Sequence, residues 1–96
     1  MNHYFEVNAQ REFDDSIEYY DRISPQLGSE LIEAVERLIA QILSFPKACP
    51  EVLISIRRCR LKRFPYGLVY RLGKDAIEIL AVMHFSREPN YWVDRL

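Results

Sequence analysis

The strongest periodic pattern in the chain is a run of apolar residues that limits what its first half can fold into. Successive members are four, three, four and three positions apart: Leu31, Val35, Leu38, Ile42 and Phe45. This spacing predicts an α-helix with one apolar face. Ser24-Pro25 favours helix initiation, because proline at the first helical position has no N–H to leave unpaired, and Pro46 favours termination. The apolar face requires a second layer to cover it.

A shorter helix is predicted upstream, after a first strand at His3–Val7. Its apolar positions are Ala9, Phe13, Ile17 and Tyr20, and its solvent-facing acidic positions are expected to be Glu12, Asp15 and Glu18. Asn8 is the predicted N-cap and the helix is expected to end near Arg22. Because few residues separate the two helices, they are predicted to form an antiparallel hairpin.

The second half of the chain reads as strands. Three are predicted, with a turn at residues 73–75 before the third: Ile54–Phe64, Gly67–Leu72 and Ala76–Met83. The third is almost entirely apolar, which indicates a central strand covered on both faces. Asn90–Leu96 is expected to form a short helix or ordered tail. The order βααβββ predicts a single α+β domain, residues 1–96, with a helical hairpin packed on a largely antiparallel sheet.

Composition and cysteine spacing exclude several classes of protein. A hydrophobic fraction of 49% excludes a disordered chain. No apolar run is long enough for a membrane span and no signal sequence is evident, so a cytoplasmic protein with no membrane partner is expected. Cys49 and Cys59 lack the spacing and companion ligands of a zinc site, and two reduced thiols are expected. Neither a metal nor another cofactor is predicted.

Charge is segregated along the chain. Residues 1–56 hold four Lys/Arg and ten Asp/Glu, whereas residues 57–96 hold nine and four. Strand alternation predicts a cationic ladder of Arg58, Arg60 and Lys62, spaced by about 7 Å, which suits the phosphates of a nucleic acid. At least one of Tyr66 and Tyr70 is expected beside it. The alternative is that these cations pair with the acidic helices or dock an acidic protein.

Two further candidates follow the last predicted strand. His84 is able to act as a general acid or base near neutral pH, and Arg87 is able to stabilise a charged phosphorane. The alternative is structural: His84 caps the strand and Arg87 pairs with Glu88 or Asp94. Tyr91 and Trp92 serve either as packing residues or as stacking platforms.

The combined pattern resembles the RelE/ParE superfamily of bacterial toxins, also labelled plasmid-stabilisation proteins, over essentially the whole chain. The matching segments are Ile56-Arg57-Arg58, Arg60–Arg71, Ile77–His84, and Arg87-x-Pro89-x-Tyr91-Trp92. These proteins are the toxins of type II toxin–antitoxin modules. RelE-like members are ribosome-dependent mRNA endoribonucleases that need no metal, and ParE-like members poison DNA gyrase.

The resemblance assigns residues differently in the two branches. In a nuclease, Arg58 and Arg60 match the basic pair and Tyr91 lies near the C-terminal tyrosine. Arg58, Arg60 and Arg87 are then expected to hold the scissile phosphate, and His84 or Tyr91 to move the proton. Gly67, however, occupies a position where the nucleases usually have arginine. The ending Ala81–His84-x-x-Arg87 is more similar to ParE, which favours a gyrase inhibitor over an mRNA nuclease.

The resemblance also implies partners. A cognate antitoxin is expected to wrap the toxin and bring acidic residues to its basic face, which fits the charge segregation. The cellular target is expected to be DNA gyrase or, in the nuclease alternative, the ribosome and its mRNA. The assembly is expected to be a homodimer or a toxin–antitoxin hetero-oligomer.

Overall fold

A computed structural model describes all 96 residues as two helices packed on one face of a five-stranded sheet. The elements in chain order are β1 (Asn2–Phe5), α1 (Val7–Ile23), α2 (Pro25–Ser44), β2 (Glu51–Leu53), β3 (Ile56–Arg60), β4 (Tyr66–Leu72), β5 (Ala76–His84) and a 3₁₀ turn, Val93–Arg95. The spatial strand order is β1-β5-β4-β3-β2. Only the β1–β5 pair is parallel. The predicted α+β class, helical hairpin and largely antiparallel sheet are confirmed.

The two helices begin differently. At α1 the N-cap is Glu6, not the predicted Asn8, and its carboxylate accepts hydrogen bonds from the backbone N–H groups of Asn8 (2.6 Å) and Ala9 (3.0 Å). Burial raises the pKa of Glu6, but these bonds and the Asn8 side chain lower the pKa more, so that the net shift is downward. At α2 the predicted start is confirmed, with Ser24 at the cap and Pro25 next.

The apolar stripe of α2 covers the sheet as predicted, except at its end. Leu31, Val35, Leu38 and Ile42 are buried, but Phe45 is 70% exposed because it is the C-cap residue and has left the helical path. The helix-facing core continues into β4 and β5 through Leu68, Tyr70, Ile77, Ile79 and Val82. Neither helix is long and apolar enough to cross a membrane.

The predicted strand Ile54–Phe64 is divided in the structure. A turn at Ile54-Ser55 separates β3 from β2, an additional edge strand of three residues. Ser55 adopts a positive φ of 66°, the left-handed conformation that lets the chain reverse within two residues. Beyond Arg60 the chain leaves the sheet, and residues 61–65 connect β3 to β4 without regular structure.

Strand β5 is the central strand that its apolar sequence predicted. Its helix-facing side belongs to the larger core, and its opposite face packs a second cluster: Ile56, Val69, Leu80, Ala81, Met83 and Trp92. Trp92 is fully buried and its indole N–H donates to the carbonyl of Pro89 at 2.9 Å. The C-terminal segment is therefore an ordered tail that covers the back of the sheet.

The two cysteines form a disulfide, so the expectation of reduced thiols was wrong. Cys49 and Cys59 have Cα atoms 5.5 Å apart and no free cysteine remains. The backbone N–H of Arg58 donates to the carbonyl of Pro50 at 3.2 Å, which lays the segment before β2 alongside β3. Spacing along the chain did not reveal this proximity, because it arises from the turn between β2 and β3.

Candidate functional site

The basic strand presents two arginines on the face of the sheet that points away from the helices. Arg58 pairs in register with Val69, and Arg60 with Gly67. The Arg60 guanidinium lies 4.2 Å from the centroid of the Phe85 ring, a cation–π contact. Lys62 lies beyond the end of β3, so the predicted ladder of three cations is reduced to two on the strand.

The neighbouring cations of this segment are engaged elsewhere. Arg57 donates to the carbonyls of Cys49 (2.6 Å) and Lys47 (3.1 Å) on the helix-facing side. Arg63 forms an ion pair of 2.7 Å with Glu30 of α2. Pairing with an acidic helix therefore applies to Arg63, whereas Arg57 bonds to backbone carbonyls and pairs with Glu51 of β2 at 3.4 Å. Neither Arg58 nor Arg60 forms an ion pair within 4.0 Å.

Tyr66 and Tyr70 do not lie beside these arginines. Both point to the helix-facing side of β4, where Tyr70 is fully buried and donates its hydroxyl to the carbonyl of Pro46 at 2.6 Å. Burial raises the pKa of Tyr70 despite the opposing charge of Arg57. The expectation of a tyrosine next to the ladder was wrong, since β4 places odd and even positions on opposite faces.

His84 and Arg87 line a groove of about 260 Å³ between α1 and the end of β5. The His84 ring stands 4.9 Å from the Tyr66 ring, edge to face, and its Nδ1 accepts the N–H of Ser86 at 3.0 Å. That bond leaves the proton of the neutral imidazole on Nε2. The Arg87 guanidinium lies 3.8 Å from the centroid of the Tyr91 ring and has no carboxylate partner, so the predicted pairing with Glu88 or Asp94 is absent.

Glu12, expected to face solvent, is instead the centre of a network that we call the Glu12 clasp: Glu12, Tyr91 and Arg95. The Tyr91 hydroxyl donates to its carboxylate at 2.6 Å and Arg95 donates two bonds at 2.9 Å. The carboxylate also accepts the backbone N–H of Val82 at 3.0 Å, and Arg95 donates to the carbonyl of Leu80. The clasp thereby satisfies the part of the β5 edge that β1 does not reach.

The clasp sets the protonation of its members. Burial raises the pKa of Tyr91 well above its usual range, and the hydrogen bond to Glu12 and the charge of Glu12 raise it further, against the opposing charges of Arg95 and Arg87. The bond to Glu12 likewise raises the pKa of Arg95. A phenol held neutral and bonded to a carboxylate is poorly suited to carry a proton to or from a substrate.

The five predicted site residues form two groups, not one. Arg58 and Arg60 lie on the back of the sheet, whereas His84, Arg87 and Tyr91 line the groove beside α1. No group of three or more His, Cys, Asp or Glu residues is placed to hold a metal ion.

Gly67 lies on the back of the sheet, on the same face as Arg58 and Arg60, and is buried. A Cβ atom built there would be 3.0 Å from the carbonyl oxygen of Cys59 and 3.3 Å from the Phe85 ring. An arginine at this position would displace Phe85 and disturb its contact with Arg60.

The sequence reasoning missed Glu12, Arg95 and Phe85. The alternation of side chains between the two faces of β5, continued by one residue, would have placed Phe85 on the face opposite His84. No local signal identifies Glu12 and Arg95, which are separated by 83 positions.

We predict that Glu12→Ala lowers the free energy of unfolding by about 2–4 kcal/mol, because it leaves the guanidinium of Arg95 without its carboxylate and the N–H of Val82 without its acceptor in a partly buried site. Glu18→Ala removes a carboxylate from an exposed helical pair with Arg22 and should lower the free energy of unfolding by no more than about 0.5 kcal/mol. Urea denaturation of both variants measures the contrast. Equal effects would contradict the structural role of the clasp.

The raised pKa of Tyr91 gives a prediction in alkaline solution. Its neutral form is favoured in the folded state, so its contribution to stability is complete below the unfolded pKa near 10 and is lost as pH rises through the higher folded pKa. The stability advantage of wild type over Tyr91→Phe should therefore shrink above about pH 10. The other buried tyrosines are present in both proteins, so their effects on the stability difference cancel. A difference in free energy of unfolding between wild type and Tyr91→Phe that stays constant from about pH 9 to pH 11 would contradict this account.

Comparison with known proteins gives a family match, matches among solved structures and one negative result. The model of the family described as "ParE toxin of type II toxin-antitoxin system, parDE" matches residues 4–89. A solved chain of the chromosomal ParDE TA system from P. aeruginosa shares the fold with a TM-score of 0.60 and 18% sequence identity, over 88% of this chain and 95% of that chain. No curated protein sequence matches.

The family match begins at Tyr4, within β1, and ends at Pro89, whose carbonyl accepts the Trp92 N–H. It therefore includes both candidate surfaces except for the end of the tail. It confirms the resemblance deduced from the basic strand and the His84-x-x-Arg87 ending, and it selects the branch that the ending favoured. The chain belongs to the ParE toxin family of type II toxin–antitoxin systems.

Proposed function

We propose that this protein is the toxin of a type II toxin–antitoxin module that inhibits bacterial growth by binding DNA gyrase, and that a cognate antitoxin neutralises it. The observation that carries the proposal is the separation of the candidate nuclease residues onto two surfaces. Cleavage of RNA at one phosphate needs its cations and its proton carrier within hydrogen-bond reach of the same atoms. Here the sheet stands between Arg58 and Arg60 on one side and His84 on the other.

The back of the sheet has the features of a binding surface, which we call the Arg–Phe surface: Arg58, Arg60 and Phe85. Arg60 has no carboxylate partner and stacks on Phe85, which restrains the guanidinium while leaving its N–H groups open to phosphate or carboxylate. Gly67 adds no side chain to this surface. We infer that the Arg–Phe surface contacts the gyrase–DNA complex.

Neutralisation by an antitoxin is supported by the charge distribution. The segment that begins at Arg57 carries an excess of cations, and Arg58 and Arg60 have no carboxylate partner within the chain. An acidic antitoxin segment that covers them would compete directly with an anionic target. The antitoxin then inhibits by occupying the same cations that the target requires.

One observation favours the alternative of an mRNA endoribonuclease. His84 and Arg87 line the same groove, and an imidazole and a guanidinium in one groove are a reasonable pair for attack of a 2′-hydroxyl on phosphate. In that case the activity would depend on His84 and Arg87, and Arg58 and Arg60 would act only in positioning the RNA.

We predict that the purified chain inhibits supercoiling by DNA gyrase and that Arg58→Ala/Arg60→Ala weakens inhibition at least about tenfold, since each lost charge-assisted contact is worth on the order of 1.5–3 kcal/mol. Arg22→Ala/Lys74→Ala removes the same charge from exposed positions on α1 and on the β4–β5 turn, and should stay within about twofold.

Absence of inhibition by the wild-type chain at any ratio to gyrase would contradict the proposal. Equal loss in the two double variants would show that net charge, not the Arg–Phe surface, determines inhibition. Circular dichroism of each variant verifies that the fold is retained.

A further inference from the structure

The Cys49–Cys59 disulfide lies outside both candidate surfaces, yet it is built into the basic strand. Cys59 stands between Arg58 and Arg60 and points into the helix-facing core, where it is 3% exposed. Cys49 is half-buried, in the segment that joins α2 to β2. The bond therefore ties an irregular surface segment to the middle of β3.

Few other interactions hold this segment, residues 45–53. The hydroxyl of Tyr70 donates to the carbonyl of Pro46, and Arg57 donates to the carbonyls of Lys47 and Cys49. The backbone N–H of Arg58 donates to the carbonyl of Pro50 at 3.2 Å, and Arg57 pairs with Glu51 at 3.4 Å. Strand β2 is three residues long, pairs with β3 in an irregular register and has no partner on its outer side. Short edge strands of this kind contribute little stability of their own.

We propose that the Cys49–Cys59 disulfide is a reversible redox-modification site, opened by dithiol reductants, and that it controls the docking of residues 45–53 on β3. Accessibility sets the direction of attack, because Cys59 is buried whereas Cys49 is only half-buried. Where disulfides persist in reducing compartments, they are usually transient or redox-sensing. The argument from reducing compartments rests on the proposed function, because a gyrase inhibitor acts in the cytoplasm. The exchange chemistry itself does not depend on that function.

The reaction is ordinary thiol–disulfide exchange. One thiolate of the dithiol attacks Cys49 Sγ and forms a mixed disulfide, while the bond between the two protein sulfurs breaks and Cys59 leaves as a thiolate that takes up a proton. The second thiol of the reductant, after losing its proton, attacks its own sulfur in the mixed disulfide and expels Cys49 as a thiolate, which is then protonated. Two electrons pass to the protein, and the reductant leaves as a cyclic disulfide.

Opening the bond has a defined structural consequence. Residues 45–53 lose their covalent attachment to β3 and are then retained by non-covalent contacts alone, chiefly the hydrogen bonds from Tyr70, Arg57 and the backbone N–H of Arg58. When the segment leaves, the edge of β3 next to Arg58 loses its partner strand. The redox state of one bond thus alters the backbone that carries Arg58 and Arg60.

The test is native-state hydrogen exchange followed by mass spectrometry on the wild-type chain, oxidised or treated with dithiothreitol without denaturant. Thiol alkylation quantifies the opened fraction. We expect the bond to open in the folded protein. The exchange rate of amides in residues 45–58 should rise at least about tenfold more than that of amides in β4 and β5, whose exchange follows only the loss of global stability. The melting temperature should fall by about 10 °C.

The Cys49→Ser/Cys59→Ser variant is the control, and its exchange should not respond to dithiothreitol. Because the main comparison uses one sequence in two redox states, it stands even if this variant folds poorly. A bond that opens only after global unfolding, or opened protein with unchanged exchange at residues 45–58, would overturn the proposal. Neither result depends on whether the chain inhibits gyrase.

Discussion

The structure depends on strand β5, which is covered on both faces and needs partners along both edges. Its helix-facing side packs under α1 and α2, and its back is covered by Trp92 from the tail. One edge pairs with β4 throughout, but β1 reaches only as far as Ile79 on the other. Buried backbone groups without partners are costly, so the remaining edge requires the Glu12 clasp. That requirement joins α1 and the tail to the sheet at one point.

This construction explains why the candidate residues fall on two surfaces. The carboxylate of Glu12 holds Tyr91 and Arg95 at the β5 edge, and Arg87 stacks on the Tyr91 ring. The tail therefore closes the fold, and the Tyr91 hydroxyl is bonded to the Glu12 carboxylate. Arg58 and Arg60, on the back of the sheet, have no carboxylate partner within the chain.

The elements that local patterns encode were predictable from the sequence. The α2 stripe, the Ser24-Pro25 start and the apolar β5 segment each follow from periodicity or from backbone chemistry within a few residues. The position of Arg58 and Arg60 on a shared face followed from strand alternation.

Contacts between distant segments were not predictable. Glu12 occupies a polar position of an amphipathic helix, and only the incomplete reach of β1 makes it structural. The disulfide depends on the turn at Ile54-Ser55, and the apolar and cationic residues around this turn do not predict it. Phe45 fits the stripe by spacing, yet the helix ends one residue earlier.

The central claim is that this chain inhibits its target by binding and does not cleave RNA. The most direct measurement is a transcriptome-wide map of RNA 5′ ends shortly after the chain alone is induced in a bacterial host. The account predicts intact messages together with induction of DNA-damage transcripts. New 5′ ends phased to codons within translated messages would contradict it and would assign the chemistry to the groove that contains His84 and Arg87.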